Sequence, residues 1–249
     1  MKIYKKIVNS QIVIGFFSFV LFWEIIHLVI PTHTIPSPIE TFAYLFTVLG
    51  EIVLHSIGSL LRVLVSILIS LVIGIPLGIL LGVNKRFNAA FSPFLYYMYP
   101  IPKVAFLPVF MLLFGLGNVS KIILIIFIIV FQMILSVRDG VRQIPTTYFK
   151  VMNSFSASNR QQYRYLIMPA ILPNVFSALR ISIGISLATL FFAENYATTY
   201  GLGYFIMSAW SKMNYPEMFS GIVVLGFIGL LFFKLLDVLE AHYTPWNRK

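Results

Sequence analysis

The stretch Ser154–Pro173, SFSASNRQQYRYLIMPAILP, decides how the rest of the chain is read. It stands between two long apolar runs, yet it carries a patch of small residues, a series of basic and amide side chains, and the prolines Pro169 and Pro173. Ser158 followed by Gln161 has the spacing of a capping box, so a helix is expected to start at about Asn159. Phe155-Ser156-Ala157-Ser158 sets small residues around one aromatic, which permits close approach of another backbone. A helix that only lies on headgroups needs a large apolar face flanked by Lys and Arg, and this stretch lacks one. The expected shape is helix, tight turn, helix, protruding and fitted to a groove in a partner protein.

The surroundings are those of a membrane protein. Of 249 residues, 59% are hydrophobic and 10% are charged, against roughly 25% charged in soluble domains. A soluble core cannot absorb that excess, so most apolar side chains must face lipid. A crossing helix needs about 20 apolar residues. The expected architecture is a single all-α integral membrane domain, 1–249, with a core over 55–240 and about six crossings. The first is expected over Ile12–Ile30, the second over Ile57–Val83 and the third over Phe91–Phe114, broken by Pro100, Pro102 and Pro108. The fourth follows over Ile122–Val137, the fifth over Pro169–Phe192 and the sixth over Met218–Leu239. A short interfacial helix is expected within Glu40–Ser56. NKRFN after Val83 reads as a turn, and the residues from Asn195 to Pro216 as a loop. The N-terminus MKIYKK followed by an apolar run is similar to a signal peptide, but the run is too long and no small-residue cleavage site follows, so it is read as the first crossing.

The net charge of +10 is explained by orientation. With six crossings both termini share one side. That side collects Lys2, Lys5, Lys6, Lys85, Arg86, Arg138, Arg142, Lys150, Arg160, Arg164, Lys234, Arg248 and Lys249, and the other has only Lys121 and Lys212. The positive-inside rule makes the termini and the segment 138–168 cytoplasmic. No nucleic-acid partner is needed; membrane lipid is the expected surrounding.

Several further blocks carry a resemblance: IPSP at Ile35–Pro38, SLLRVLVS at Ser59–Ser66, GIPLGILLGVNKR at Gly74–Arg86, YPIPKVAFLPVFMLLFGLGNVSK at Tyr99–Lys121, and AENYATTYGLGY at Ala193–Tyr204. With Phe155-Ser156-Ala157-Ser158 and Met168–Pro173, in this order over nearly the whole chain, they resemble the permease subunits of ATP-binding cassette importers of the nitrate, sulfonate, taurine and bicarbonate group. The resemblance implies the type I importer permease fold (MetI-like), with a coupling helix between the fourth and fifth crossings. It also implies a second permease copy, two copies of a cytoplasmic ATPase that holds the ATP and Mg, an extracytoplasmic substrate-binding protein, and a place in a bacterial cytoplasmic membrane. The chain itself would be a transport subunit and not an enzyme, binding no cofactor or metal. The implied ATPase-coupling residues are Lys150, Met152, Phe155, Ser156, Ala157, Ser158 and Arg160. The sequence departs from the family signature here: Lys150 stands where the family has Glu, Val151 and Met152 where it has Ala, and Ser156 where it has Gly. A glycine at such a turn serves unusual backbone angles that Ser adopts at greater cost.

Gly74, Gly78 and Gly82 share one face of the second crossing and suit close helix packing, either within one subunit or at a dimer contact. Charges within crossings cost roughly 2.5–3.5 kcal/mol each on insertion scales, which singles out Arg62, Lys103, Arg180 and Glu194. Arg62 is placed near the outer end of its helix, where it can snorkel. Arg180 needs a partner or an aqueous cavity. Lys103 lies at an expected helix break, and broken helices near mid-membrane often line a pathway; the competing reading is a snorkelling charge. Glu194 opens a polar patch that either gates or is solvated. Lys103, Gln132, Arg180 and Glu194 are the candidate translocation-pathway residues. Basic residues beside a pathway suit an oxyanion, whereas the 16% aromatic content would also accommodate a vitamin-precursor heteroaromatic.

No G-x-x-x-x-G-K-[ST] phosphate loop occurs, and Gly115-Leu116-Gly117 lacks the third glycine of a dinucleotide site. His27, His33, His55 and His242 have no metal-ligand spacing, and the absence of cysteine removes thiolate sites. Asn118-Val119-Ser120 matches a glycosylation acceptor, as chance tripeptides do. Two other classes compete with an ATP-driven importer. A secondary transporter would be expected to show inverted repeats, and no clear repeat is seen. An intramembrane enzyme would need paired ionisable groups facing each other.

Overall fold

The computed structural model describes residues 2–30 and 34–247, with side chains described over 13–30 and 34–246. The side chains of Lys2, Lys5 and Lys6, and residues His33, Arg248 and Lys249, lie outside the described residues. Among the described residues all regular structure is helical.

Helix α1 (Lys2–Val29) docks through Trp23, whose indole donates to the Pro36 carbonyl at 3.1 Å and stacks on Phe219. In α2 (Pro38–Thr47) Ser37 accepts from the Glu40 N–H at 3.1 Å, and Pro38 takes the first position, where its missing N–H goes unused. Helix α3 (Leu49–Val83) begins almost at once. The expected interfacial helix over Glu40–Ser56 is therefore two pieces, and its second half belongs to the crossing helix. Its polar residues are satisfied there: His55 is buried, and the Ser56 hydroxyl donates to the Ile52 carbonyl at 2.7 Å.

Asn84 accepts from the Phe87 N–H at 3.0 Å and starts α4 (Lys85–Met98), so NKRFN is the first turn of a helix. Pro100 and Pro102 then interrupt the chain. A 3-10 turn (Lys103–Phe106) leads into α5 (Leu107–Phe114), and the axis bends by 85°. The expected third crossing is thus a sharply bent pair, because two prolines remove N–H groups within one turn. Gly115, at φ 82°, ends α5 in a backbone region open chiefly to glycine.

Helix α6 (Asn118–Arg142) exceeds the expected span at both ends and takes in Lys121 and Arg138. Lys121, expected in water, is buried: its ammonium donates to the carbonyls of Leu116 at 3.0 Å and Gly117 at 3.2 Å. Then come α7 (Thr146–Ser154), α8 (Asn159–Gln162), a π-helical segment (Tyr163–Ile167) and α9 (Met168–Glu194). The expected loop after Glu194 contains α10 (Leu202–Ser211), whose Leu202, Phe205, Ile206 and Ala209 are buried. Its glycines, Gly201 and Gly203, masked an apolar helix as a turn. Last is α11 (Tyr215–Tyr243), followed by a 3-10 turn (Pro245–Asn247). Lys234, counted with the basic side although the expected sixth crossing includes it, lies within α11 with its side chain exposed.

Helix α3, α6, the run Asn159–Glu194 and α11 are long and apolar enough to cross a membrane, and the bent α4–α5 pair would be a fifth crossing. The remaining apolar helix is α1, whose described apolar part is Val13–Val29, so the described residues give four crossings, or five with the bent pair. The main core unites α3, α6, α9, α10 and α11 through residues such as Val63, Ile129, Ile171, Phe205 and Phe232. The α3–α6 seam is the closest. A Cβ on Gly74 would meet Met133 Cγ at 2.7 Å, one on Gly78 would meet Val137 Cβ at 2.6 Å, and one on Gly82 would meet Val141 Cβ at 2.5 Å. Glycines every fourth residue on α3 thus receive side chains every fourth residue on α6, within one chain. Large apolar side chains such as Val72, Leu112 and Leu230 point outward, as a lipid-facing surface requires.

Candidate functional site

Three places concentrate the polar chemistry, and α9 joins two of them. One end of α9 meets the elbow formed by α7, α8 and the turn between them. The other end, at Glu194, lies roughly 40 Å away, from 27 residues at about 1.5 Å each.

The elbow is built locally. Helix α7 ends in a Schellman arrangement: the Ser156 N–H donates to the Asn153 carbonyl at 2.9 Å, and the Ala157 N–H to the Met152 carbonyl at 3.0 Å. Ser156 holds φ 54°, the left-handed region that favours glycine. The capping box on α8 is complete. The Ser158 N–H donates to Gln161 Oε1 at 2.7 Å, and the Gln161 N–H donates to Ser158 Oγ at 3.4 Å. Gln162 Nε2 ties the two helices by donating to Asn153 Oδ1 at 2.7 Å. Phe149, Met152 and Ala157 turn inward, while Lys150, Ser156, Ser158, Arg160 and Phe155, 81% exposed, point outward.

Lys103 lies beside the middle of α6. Its ammonium is 5.4 Å from the ring centroid of Phe131, halfway along α6, and 5.5 Å from that of Tyr99. It donates to the Tyr99 carbonyl at 3.0 Å, an acceptor at the proline break. The Tyr99 hydroxyl donates to Gln132 Oε1 at 3.3 Å. Tyr99 therefore joins Lys103 and Gln132, a link the sequence did not suggest. Among the described residues no carboxylate lies within ion-pair distance of Lys103. Phe106, Phe110, Phe127 and Phe131 pack edge-to-face or stacked beside it.

Arg180 is elsewhere. Its guanidinium pairs with Asp237 at 2.6 Å and Glu240 at 3.0 Å, toward the elbow end of α11. The partner it needed is thus a pair of carboxylates that clamp α9 to α11.

Glu194 and Arg62 correct their expected settings. Neither snorkels nor is solvated: Glu194 is 0% exposed and Arg62 3%, and they form a buried ion pair. Ser59 Oγ donates to Glu194 at 2.9 Å and accepts from the Leu202 N–H at 2.8 Å, while the Gly203 N–H donates to Glu194 at 2.8 Å. Arg62 Nε donates to Asn118 Oδ1 at 2.9 Å, Nη1 reaches the Tyr200 carbonyl at 3.1 Å, and the guanidinium lies over the Tyr200 ring. The Gly201 N–H donates to His55 Nδ1 at 2.9 Å. A side chain on Gly203 would meet the Phe191 carbonyl oxygen at 2.6 Å, so glycine is required there. The Asn118 amide donates to the Tyr200 phenol at 2.8 Å and draws its pKa below the usual value; desolvation opposes this and the Arg62 charge assists it. Ser59 and Tyr200 were not singled out from the sequence, while His55 was read only as lacking metal-ligand spacing and Asn118 only as part of a chance glycosylation tripeptide. Two opposite charges, each costly alone in a crossing, were the signal for the pair itself.

Residues 74–249 match the family model "Binding-protein-dependent transport system inner membrane component". The chain belongs to this family. It is a multi-pass inner-membrane component of an ATP-binding cassette importer, the permease subunit. The taurine transport system permease protein TauC of Escherichia coli is 29% identical over 220 residues, 86% of this chain and 80% of the relative. The putative aliphatic sulfonates transport permease protein SsuC of Bacillus subtilis is 31% identical, over 66% of this chain and 59% of the relative. The nitrate import permease protein NrtB of Synechocystis is 30% identical, over 64% and 58%. The chain thus spans about three fifths of the length of the latter two. Among solved structures, the inward-facing MetNI methionine transporter superposes with a TM-score of 0.70 at 20% identity, covering 80% of this chain and 98% of that one. The fold is therefore that of a MetI-like permease.

Proposed function

We propose that the chain works as a homodimer whose elbows, one per copy, sit in the grooves of two cytoplasmic ATPase subunits that hold the ATP and Mg, while a separate extracytoplasmic binding protein delivers the solute. The observation that carries this reading is the elbow itself. It is a helix–turn–helix pinned by a Schellman motif and a capping box and placed between two crossing helices, with Phe155 81% exposed and Lys150 and Arg160 without an ion-pair partner among the described residues. On this reading ATP binding closes the ATPase pair, each groove carries its elbow, and α9 transmits the displacement across the membrane. A solute pathway opens on alternate sides. Coupling requires that the elbow make different contacts in the two states. The elbow and both termini are cytoplasmic, in keeping with the excess of basic residues at that end.

The solute is a small oxyanion, passing beside Lys103, Tyr99 and Gln132. A half-buried ammonium beside the middle of α6 without a carboxylate supports this reading, because such a charge is costly unless an anion or water meets it. Relatives named for taurine, aliphatic sulfonates and nitrate agree with it. Glu194 and Arg180 have roles other than solute contact: the first holds the outer loop, the second clamps α9 to α11. The test is uptake in proteoliposomes carrying the complete transporter. Addition of the binding protein with sulfonate, taurine or nitrate should drive ATP-dependent accumulation. Solute accumulation by the chain alone, driven by an ion gradient, would refute the reading.

A further inference from the structure

The elbow carries a one-sided charge. From Gly140 through Ala193 the sequence holds Arg142, Lys150, Arg160, Arg164 and Arg180, and no Asp or Glu. Arg180 is neutralised by Asp237 and Glu240. Arg142, Lys150, Arg160 and Arg164 are all exposed, and none has an ion-pair partner among the described residues. Between the cations, at the turn, Phe155 projects with 81% of its surface open.

An exposed phenylalanine flanked along the chain by Lys150 and Arg160, neither of them ion-paired among the described residues, fits two environments, an anionic lipid surface or an acidic protein groove. The exposed faces decide between them. A surface-lying helix presents a broad apolar face to the acyl boundary. On α7 and α8 most outward residues are polar, Thr146, Thr147, Lys150, Asn153, Ser154, Asn159, Arg160 and Gln161, and the exposed apolar surface is a narrow strip of Tyr148, Val151 and Phe155 rather than a broad face, while Phe149 and Met152 are half-buried. The turn is also fixed by its Schellman bonds, its capping box and the Gln162–Asn153 link. A preorganised surface of this kind loses little entropy on docking.

We propose that the elbow docks in a groove lined by carboxylates, with an apolar socket for Phe155, and that Lys150 and Arg160 select the ATPase partner by charge. The inference rests on the coupling role proposed above and adds the chemistry of the partner's surface. Complementary charge raises association rates and rejects wrong partners. An ATPase with a basic groove would be repelled by the same cations.

The experiment uses the full-length chain co-purified in detergent with the ATPase of its own transport system, and reads their affinity across a salt series. The unaltered complex should weaken as salt rises, because exposed charges are screened. Lys150→Glu with Arg160→Glu should weaken binding roughly tenfold or more at low salt, about 1.4 kcal/mol per factor of ten, and flatten the salt dependence. Lys150→Arg should keep both. Phe155→Ala should weaken binding equally at every salt concentration. Since all three positions are exposed, the variants should remain folded, as monodispersity and circular dichroism would verify. Unchanged or tighter binding by the Glu variants overturns the acidic groove while leaving the ATPase reading intact. The same holds if those variants bind the ATPase normally but lose binding to vesicles of phosphatidylglycerol relative to phosphatidylcholine, which would assign the cations to lipid. If the unaltered chain binds no ATPase at all, both readings fall together.

Discussion

The Glu194 end and the elbow end treat charge in opposite ways. At the first, Arg62 and Glu194 are buried against each other, and hydroxyl, amide and backbone groups occupy most of their remaining bonding positions. At the second, four cations stand in the open with no carboxylate at ion-pair distance among the described residues. A charge closed inside a chain stabilises that chain's own architecture. A charge left open on a rigid surface is available to something else. The contrast separates residues that hold the permease together from residues that, on the proposed reading, connect it to a motor, and several substitutions would sharpen or break it.

The largest expected effect is at the buried pair. Arg62→Ala leaves the Glu194 carboxylate buried without its cation, a loss of roughly 3–5 kcal/mol. Thermal unfolding in detergent should show a large drop, and the apolar double variant Arg62→Met with Glu194→Leu should recover part of it. A melting temperature unmoved by Arg62→Ala would mean that the pair does not hold α3 to α9. Next is the glycine seam. Gly78→Ala places a methyl 2.6 Å from Val137 Cβ and 2.8 Å from the Ile134 carbonyl oxygen, and overpacking of this kind costs about 1–3 kcal/mol. Unfolding measurements should detect it, whereas Gly184→Ala, within α9 and with nothing within 4 Å of the new Cβ, should stabilise by about 0.5–1 kcal/mol.

Lys103→Ala should lower transport roughly tenfold, equivalent to ~1.4 kcal/mol, with ATPase assembly unchanged; wild-type uptake kinetics would remove Lys103 from the pathway. Smallest is Ser156→Gly. The left-handed conformation costs an L-residue about 1–2 kcal/mol and glycine's extra chain entropy about 0.5–1, so a net gain of roughly 0.5–1 kcal/mol is expected. Protease resistance at the elbow should rise, and an unchanged or faster cut there would contradict the turn geometry.

Much of this was legible in the sequence because its causes are local. The capping box at Ser158 and Gln161, the break at Pro100–Pro102 and the glycine stripe on α3 each follow from spacings of a few residues. The elbow's position followed from a polar segment between two apolar runs. What escaped depends on distant contacts. Arg62 looked free to snorkel because Glu194, 132 residues away, could not be placed beside it from spacing. Lys121 looked solvated because its acceptors are backbone carbonyls, which sequence does not mark. Helix α10 was missed because its apolar residues sit among glycines, whose role becomes apparent only once Gly203 is seen against Phe191. Tyr99 joined Lys103 to Gln132 only after the chain bent by 85°.

The most direct measurement places a photo-crosslinking amino acid at position 155 in cells that carry the whole transporter, and identifies what it labels. If the elbow is the handle of the motor, the main adduct is the ATPase subunit, with a yield that changes between the ATP-bound and nucleotide-free states. Labelling of lipid alone, or an ATPase adduct absent in both states, would contradict that.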